Sequence, residues 1–191
     1  MERFLGITGT PGTGKKTIAP LVAEILGLPL IGLNEVLSVR ELATASRGVD
    51  PRMLRKRLLK RTKGRTVVFG HMIPDVLESS DVENVVVLRC DPSDLKVRLR
   101  QRGYSMKKVT ANVEAELIGV VSAACISKFG RARVSEFDTT AEPVGSSARA
   151  VARLLSSRRL KGEVIDWVPC YSSAEKLRSL LSVESTDSAF T

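Results

Sequence analysis

GTPGTGKKT, residues 9–17, follows the apolar run RFLGIT at 3–8 and opens a segment in which Ile18, Leu21, Val22, Ile25 and Leu26 recur at helical spacing. Glycines here let successive backbone N–H groups turn inward around phosphate oxygens, at a helix N-terminus whose dipole favours anions. Gly9, Gly12 and Gly14 supply that freedom, Pro11 stiffens the turn, and Lys15 is placed to reach the outer phosphates. GxxxxGK is intact between a strand and a helix, the context the motif demands, and it predicts a nucleotide-phosphate cradle.

Outward from the loop the chain alternates strand and helix. Gly27 ends the first helix, LPLIGL at 28–33 reads as a strand, and Asn34 is placed to cap a helix over 35–45. Asp50-Pro51 opens the next helix, with the acid as N-cap and proline in the first turn. TVVFG (66–70) and NVVVLRC (84–90) are apolar without alternation, as in central parallel strands covered on both faces. Asp91-Pro92 starts a helix to about 102, and a basic loop, RGYSMKK, follows. A long helical pattern then covers 109–129, RVSEF (133–137) is a last strand, and 143–156 a last long helix. The order predicts an α/β fold: a parallel sheet with helices on both faces and a short lid. A helix at 172–181 is plausible in the C-terminal extension, and the polar tail after Val183 is expected to be disordered.

The bulk numbers narrow the function classes. The chain has 191 residues, 43% hydrophobic and 27% charged, enough for one packed domain. No run nears the ~18 apolar residues of a membrane span, and no signal-peptide order of basic, apolar and small residues opens the chain, so a cytoplasmic protein without membrane contact is expected. Three scattered cysteines and the single histidine, His71, offer almost no ligands for a metal site, and none is assigned. The net charge of +9 suggests polyanionic company, a nucleotide or an RNA-rich partner, or serves solubility alone. Only 4% of residues are aromatic, too few for a stacking platform for single-stranded nucleic acid.

VVVLRCDPSDLKVRLRQRGYSMKKVTANVEAEL (85–117), SEFDTT (135–140) and GEVIDW (162–167), taken with the loop, resemble the archaeal family called "putative adenylate kinase". The resemblance spans about 1–167 and weakens over 36–65. Its eukaryotic counterpart is the nuclear adenylate kinase isoenzyme six, which acts in ribosome biogenesis. The resemblance implies a P-loop nucleoside monophosphate (NMP) kinase fold over 1–167, with residues 168–191 a partly disordered extension. It implies an enzyme converting ATP and AMP to two ADP, with ATPase activity and a place in small-subunit maturation and rRNA processing. By matching position, Gly12, Thr13, Gly14, Lys15, Lys16 and Thr17 would hold ATP phosphates and Arg102 would bind ATP. Residues 101–111 would form the lid, with Lys107 and Lys108 in it. His71 would stand near the γ-phosphate, catalytic together with Lys15, and roughly 30–55 would bind AMP or another NMP. The family also implies a platform protein of the small ribosomal subunit and the pre-ribosomal particle as partners.

Two positions depart from the family pattern. A hydroxyl residue normally follows the loop lysine and ligates Mg²⁺, whereas Lys16 stands here with Thr17 one place on, as in loops of the GxPGxGKGT kind. The family carries an acid two places before the histidine, and here that position is Phe69, which has no oxygen to offer. Mg²⁺ is therefore expected with ATP but without its usual protein ligands, and Asp75 or Asp138 are the acids nearest to hand. These departures keep a second class open, a nucleotide-binding assembly factor with weak or no catalysis. A third, a small-metabolite kinase of the shikimate or gluconate sort, leaves RGYxxKK and NxEAE unexplained. Finally, residues 52–65 hold eight basic residues and no acid, with Leu54 and Leu58 as the helix anchor. Such a surface suits phosphate contacts with rRNA, or is a solvated face, or attracts the acceptor nucleotide.

Overall fold

The structure, a computed structural model, describes residues 4–37, 50–157 and 164–182. Its sheet has five parallel strands in the order β2-β3-β1-β4-β5: β1 (Phe4–Thr8), β2 (Leu30–Gly32), β3 (Thr66–Phe69), β4 (Val82–Arg89) and β5 (Val134–Asp138). β1 lies in the middle because both its faces are apolar, and all five of its residues are buried. The chain runs from β1 to one side and returns to the other at β4. A crevice therefore opens beyond the carboxyl end of β1, where open α/β sheets take ligands.

Strand alternation divides the core. Leu5, Ile7, Val67, Val86 and Leu88 face α1 (Lys15–Leu26) and α7 (Val144–Ser156). Phe4, Val68, Val85 and Val87 face α2 (Pro51–Arg61), a single-turn α3 (Ile73–Val76) and α6 (Val120–Phe129). A third cluster lies over the end of the sheet, between α4 (Pro92–Gln101), α5 (Met106–Leu117) and α8 (Ala174–Leu181), joined by Cys90, Tyr104, Trp167 and Tyr171.

The caps read from sequence hold. Asp50 and Asp91 accept N–H bonds from Arg52 and Ser93 at the starts of α2 and α4, and left-handed Gly27 closes α1. Three expectations are corrected. Asn34 caps no helix but lies inside a 3₁₀ turn, Leu33–Val36, followed by extended Leu37; most of the 35–45 segment falls outside the described residues. RGYSMKK is not a loop throughout, because α5 already starts at Met106, with Ser105 before it. The helical pattern over 109–129 is two helices, broken at Ile118 and Gly119 and bent by 53°. Gly119 is left-handed (φ 66°), a conformation that ends a helix at little cost to glycine alone. Among the described residues no single helix is long and apolar enough to cross a membrane.

Candidate nucleotide site

The glycines of the loop answer to specific neighbours. At Gly9 (φ 137°) a Cβ would stand 2.2 Å from the Leu88 carbonyl oxygen, so the loop leaves β1 pressed against β4. At Gly12 (φ 104°) it would stand 2.5 Å from Leu95 Cδ1 of α4. Only glycine permits both the backbone angle and the approach. The loop then turns into α1 through left-handed Gly14, leaving the first N–H groups of that helix facing the crevice.

Lys15 lies across its own loop, Nζ donating to the carbonyls of Gly9 at 2.6 Å and Thr10 at 2.9 Å. Burial drives its pKa down to about 8; Glu116 opposes the shift and Arg102 adds to it. Arg102 is the C-cap of α4, and it shares one electrostatic neighbourhood with the loop lysine. Lys16 and Thr17 are exposed on the first turn of α1, Thr13 is buried, and its hydroxyl donates to Thr10 O.

The lid expected over 101–111 is a tight turn between α4 and α5. Gly103 (φ 71°) and Tyr104 bond back to Arg100 and Leu99, and Lys107 and Lys108 fall in the first turn of α5. Lys108 Nζ stands 4.3 Å from the centroid of the Tyr104 ring. Cations are unfavourable at a helix N-terminus, yet the first turns of both α1 and α5 hold two lysines and no acid. An anion between the two helix ends would offset that cost.

His71, exposed just beyond β3, joins this neighbourhood. Desolvation and the Lys15 charge, with a smaller push from Lys108 and against the pull of Asp75, hold its pKa below the ordinary value. The ring is thus neutral at pH 7, able to accept one hydrogen bond and donate another. Lys15, Arg102, Lys108 and His71 come together around the loop; the part of the 30–55 segment at 38–49 falls outside the described residues.

At the two positions that depart from the family pattern the chain offers no oxygen ligand. Phe69 packs in the α1/α7 core with its ring tip against Gly32, where a Cβ would meet Phe69 Cζ at 2.9 Å. Lys16 brings an ammonium in place of a hydroxyl. Asp138 accepts the N–H and hydroxyl of Thr140 through Oδ1. Among the described residues no group of three or more His, Cys, Asp or Glu is arranged to hold a metal.

Sequence reasoning missed the polar network beneath the loop. Arg89, at the end of β4 and 2% exposed, donates through Nε to Glu116 Oε1 (2.7 Å) and through Nη1 to Glu136 Oε2 (2.6 Å). Nη1 also reaches Ile165 O at 2.9 Å, Nη2 reaches Glu116 O at 2.8 Å, and the Ile165 N–H returns to Glu136. The other oxygen of Glu116 accepts the Thr10 hydroxyl of the loop at 2.5 Å. The Thr139 hydroxyl stands 2.8 Å from Arg89 O and 3.1 Å from Thr13 O. The NxEAE, EFDTT and GEVIDW motifs therefore meet at one arginine. Their spacing in the chain carries no sign of this convergence.

The surroundings are structural. Burial lifts the Cys90 and Cys125 thiols to about 12, so neither is a thiolate near neutrality. A cleft of about 840 Å³ lies between α4 and the 170–180 segment, away from the loop. There the Tyr171 hydroxyl donates to the Asp91 carboxylate, and Lys96 caps the carbonyls of Ser179 and Ser182. Residues 168–182 are thus fastened onto α4, the helix that leads into the turn at 102–105.

Residues 5–119 match the family described as "AAA domain". Over 177 residues the chain is 35% identical to "Putative adenylate kinase" of Pyrococcus abyssi, covering 88% of this chain and 93% of the relative. The protein of the same name from Methanocaldococcus jannaschii is 31% identical over 174 residues, 87% of this chain and 94% of that one. The chain belongs to this family. Among solved structures, a gluconokinase from Sinorhizobium meliloti (TM-score 0.57, 18% identity, 81% of this chain and 91% of that chain) shares the fold. So does a shikimate kinase from Bacteroides thetaiotaomicron (TM-score 0.55, 20% identity, 81% of this chain and 99% of that one). The chain therefore shares its fold with these two proteins.

Proposed function

We propose that this protein is an ATP-dependent nucleoside monophosphate kinase of the adenylate kinase type, with an accompanying ATPase activity. The observation that carries it is the gathering of Lys15, Arg102, Lys108 and His71 around a glycine loop at the head of α1. Phosphoryl transfer asks mainly for positioning and for neutralisation of charge spread over the transferred group. The loop N–H groups and Lys15 would hold the β- and γ-phosphates, and Arg102 and Lys108 would close over them from the lid. An oxygen of the AMP phosphate, already ionised, would form the new bond to the γ-phosphorus as the bond to the β-phosphate oxygen breaks. When water is the acceptor instead, neutral His71 suits a hydrogen bond that orients it, which accounts for ATP hydrolysis. Mg²⁺ accompanying ATP would supply charge neutralisation, held by the phosphates rather than by Lys16 or Phe69.

The same reading places the protein in small-subunit maturation and rRNA processing in the cytoplasm, as the counterpart of the eukaryotic isoenzyme six. It would work with a platform ribosomal protein and the pre-ribosomal particle. Its support is the family resemblance and the exposed face of α2, where Lys56 and Lys60, with Lys63 just beyond, carry no acidic partner among the described residues. A second reading, an assembly factor that binds nucleotide with little turnover, is favoured by Lys16 and Phe69. One assay separates them: ADP formed from ATP with and without AMP, in the presence and absence of Mg²⁺. ADP that requires AMP and disappears in Lys15→Ala supports the kinase. Tight ATP binding with no turnover would sink it and leave the assembly factor.

A further inference from the structure

Resting on the reading of residues 9–17 as an ATP-phosphate loop, we infer that Glu116 is a positioning residue for that loop, fixing its shape through Thr10 and tying it to the lid. Glu116 as a whole residue is 1% exposed and lies at the last turn of α5, eight residues from Lys108, or about 12 Å along the helix. Its two oxygens do different work. Oε2 accepts the Thr10 hydroxyl, the side chain just inside the phosphate loop. Oε1 accepts Arg89 Nε and, at 3.1 Å, the backbone N–H of Cys90, which anchors α5 to the end of β4. One rigid helix therefore carries lid lysines at one end and a grip on the phosphate loop at the other. Movement of the lid end is referred to the loop through that grip.

Charge reinforces the geometry. Among the described residues, the groups that face Lys15 are Glu116 from α5, Arg102 from the end of α4 and His71 from beyond β3, and Glu116 is the one acid of these. It keeps the Lys15 ammonium protonated against burial and against Arg102. Exposed Glu114, two residues earlier on the same helix and in the same NxEAE motif, has neither contact and serves as an internal control.

The sign of the effect follows from linkage. ATP favours the charged lysine, so its affinity is full below the free-protein pKa of about 8 and declines above it. His71, already neutral, does not titrate in that range, nor do the Cys90 and Cys125 thiols lifted to about 12. The experiment measures ATP affinity by calorimetry between about pH 7 and 10, above the second phosphate pKa of about 6. Glu116→Gln should move the alkaline break down by about one pH unit, the low end of what a neighbouring charge produces. Thr10→Val leaves the Glu116–Arg89 pair in place. It should weaken ATP binding about tenfold, the loss of a hydrogen bond to a charged group, with the break unmoved. Glu114→Gln should match the parent in both respects. An unmoved break in folded Glu116→Gln overturns the electrostatic half, and parent-like affinity in Thr10→Val overturns the positional half. If Glu116→Gln does not fold, Thr10→Val alone decides. Parent protein that binds no ATP at any pH overturns the reading of the loop itself, and this inference with it.

Discussion

Replacing Arg89 by methionine keeps most of the side-chain length and removes the one cation between two buried carboxylates. The side chains of Glu116 and Glu136 are 2% and 1% exposed, and each loses a charged bond of 2.7 or 2.6 Å. Removing one partner of a buried pair typically costs about 3–5 kcal/mol, because the other charge is left without compensation. Here two acids are stranded at once, and the backbone oxygens of Ile165 and Glu116 lose donors as well. The expected loss is therefore about 5 kcal/mol, a large share of the ~5–15 kcal/mol that stabilises an ordinary domain. For a chain of this size that corresponds to a melting point lower by about 10–20 °C. Far-UV circular dichroism, in thermal and urea titrations, reads both quantities. The triple variant Arg89→Met, Glu116→Leu, Glu136→Leu supplies the contrast, since exchanging a whole buried ion cluster for apolar groups is often neutral or better. It should recover to within about 2 kcal/mol of the parent while lacking the acceptor for Thr10. A single-variant loss below about 1 kcal/mol would refute the network as a buried unit held together by the Arg89 charge.

Gly32→Ala forces a Cβ to within 2.9 Å of Phe69 Cζ and 2.8 Å of Glu35 Oε1. A cost of about 1–3 kcal/mol in urea unfolding is expected, and Phe69→Leu in the same chain should relieve part of it. Burial pushes the Asp81 carboxyl up, but the Arg55 bonds at 2.6 and 2.8 Å, the Glu78 N–H and the Arg55 charge outweigh it and hold the pKa below the usual 3.8. A lowered folded pKa gives stability that is present above 3.8 and lost as pH falls through the folded value, so Asp81→Asn should flatten the stability profile between pH 5 and 2. Neutralising Lys56, Lys60 and Lys63 should reduce the salt slope of rRNA binding by about three counterions in a filter-binding titration, and an unchanged slope would remove that face from the interface. Phe69→Asp, read by Mg²⁺-dependent ADP formation, should raise turnover if metal positioning limits the reaction.

Local chemistry was legible; long-range polar chemistry was not. The strand, loop and helix from Phe4 to Leu26 and the two Asp-Pro helix starts follow from backbone preferences within a few residues. The break at Gly119 was not legible, because Val109, Val113, Leu117, Cys125 and Phe129 keep an apolar pattern running through it. The eight-cation segment at 52–65 looked uniformly available for a polyanion. In the fold, Arg55 and Arg65 are spent on Asp81 and Glu83, acids 26 and 18 residues away, and Arg61 on the Glu35 carbonyl. The glycine loop and the basic residues expected around it were singled out from motif and resemblance. The hub beneath them was not, since Arg89 meets partners 27, 47 and 76 residues further on. A buried arginine in a valine strand was the signal available: a charge there has to be paired.

That hub constrains how the sequence can change over time. An arginine held between two acids leaves no neutral single step: losing the arginine strands two buried carboxylates, and losing either acid leaves buried guanidinium N–H groups short of an acceptor. Positions 89, 116 and 136 should therefore be inherited as a linked set across descendants of this chain, or exchanged together for apolar residues.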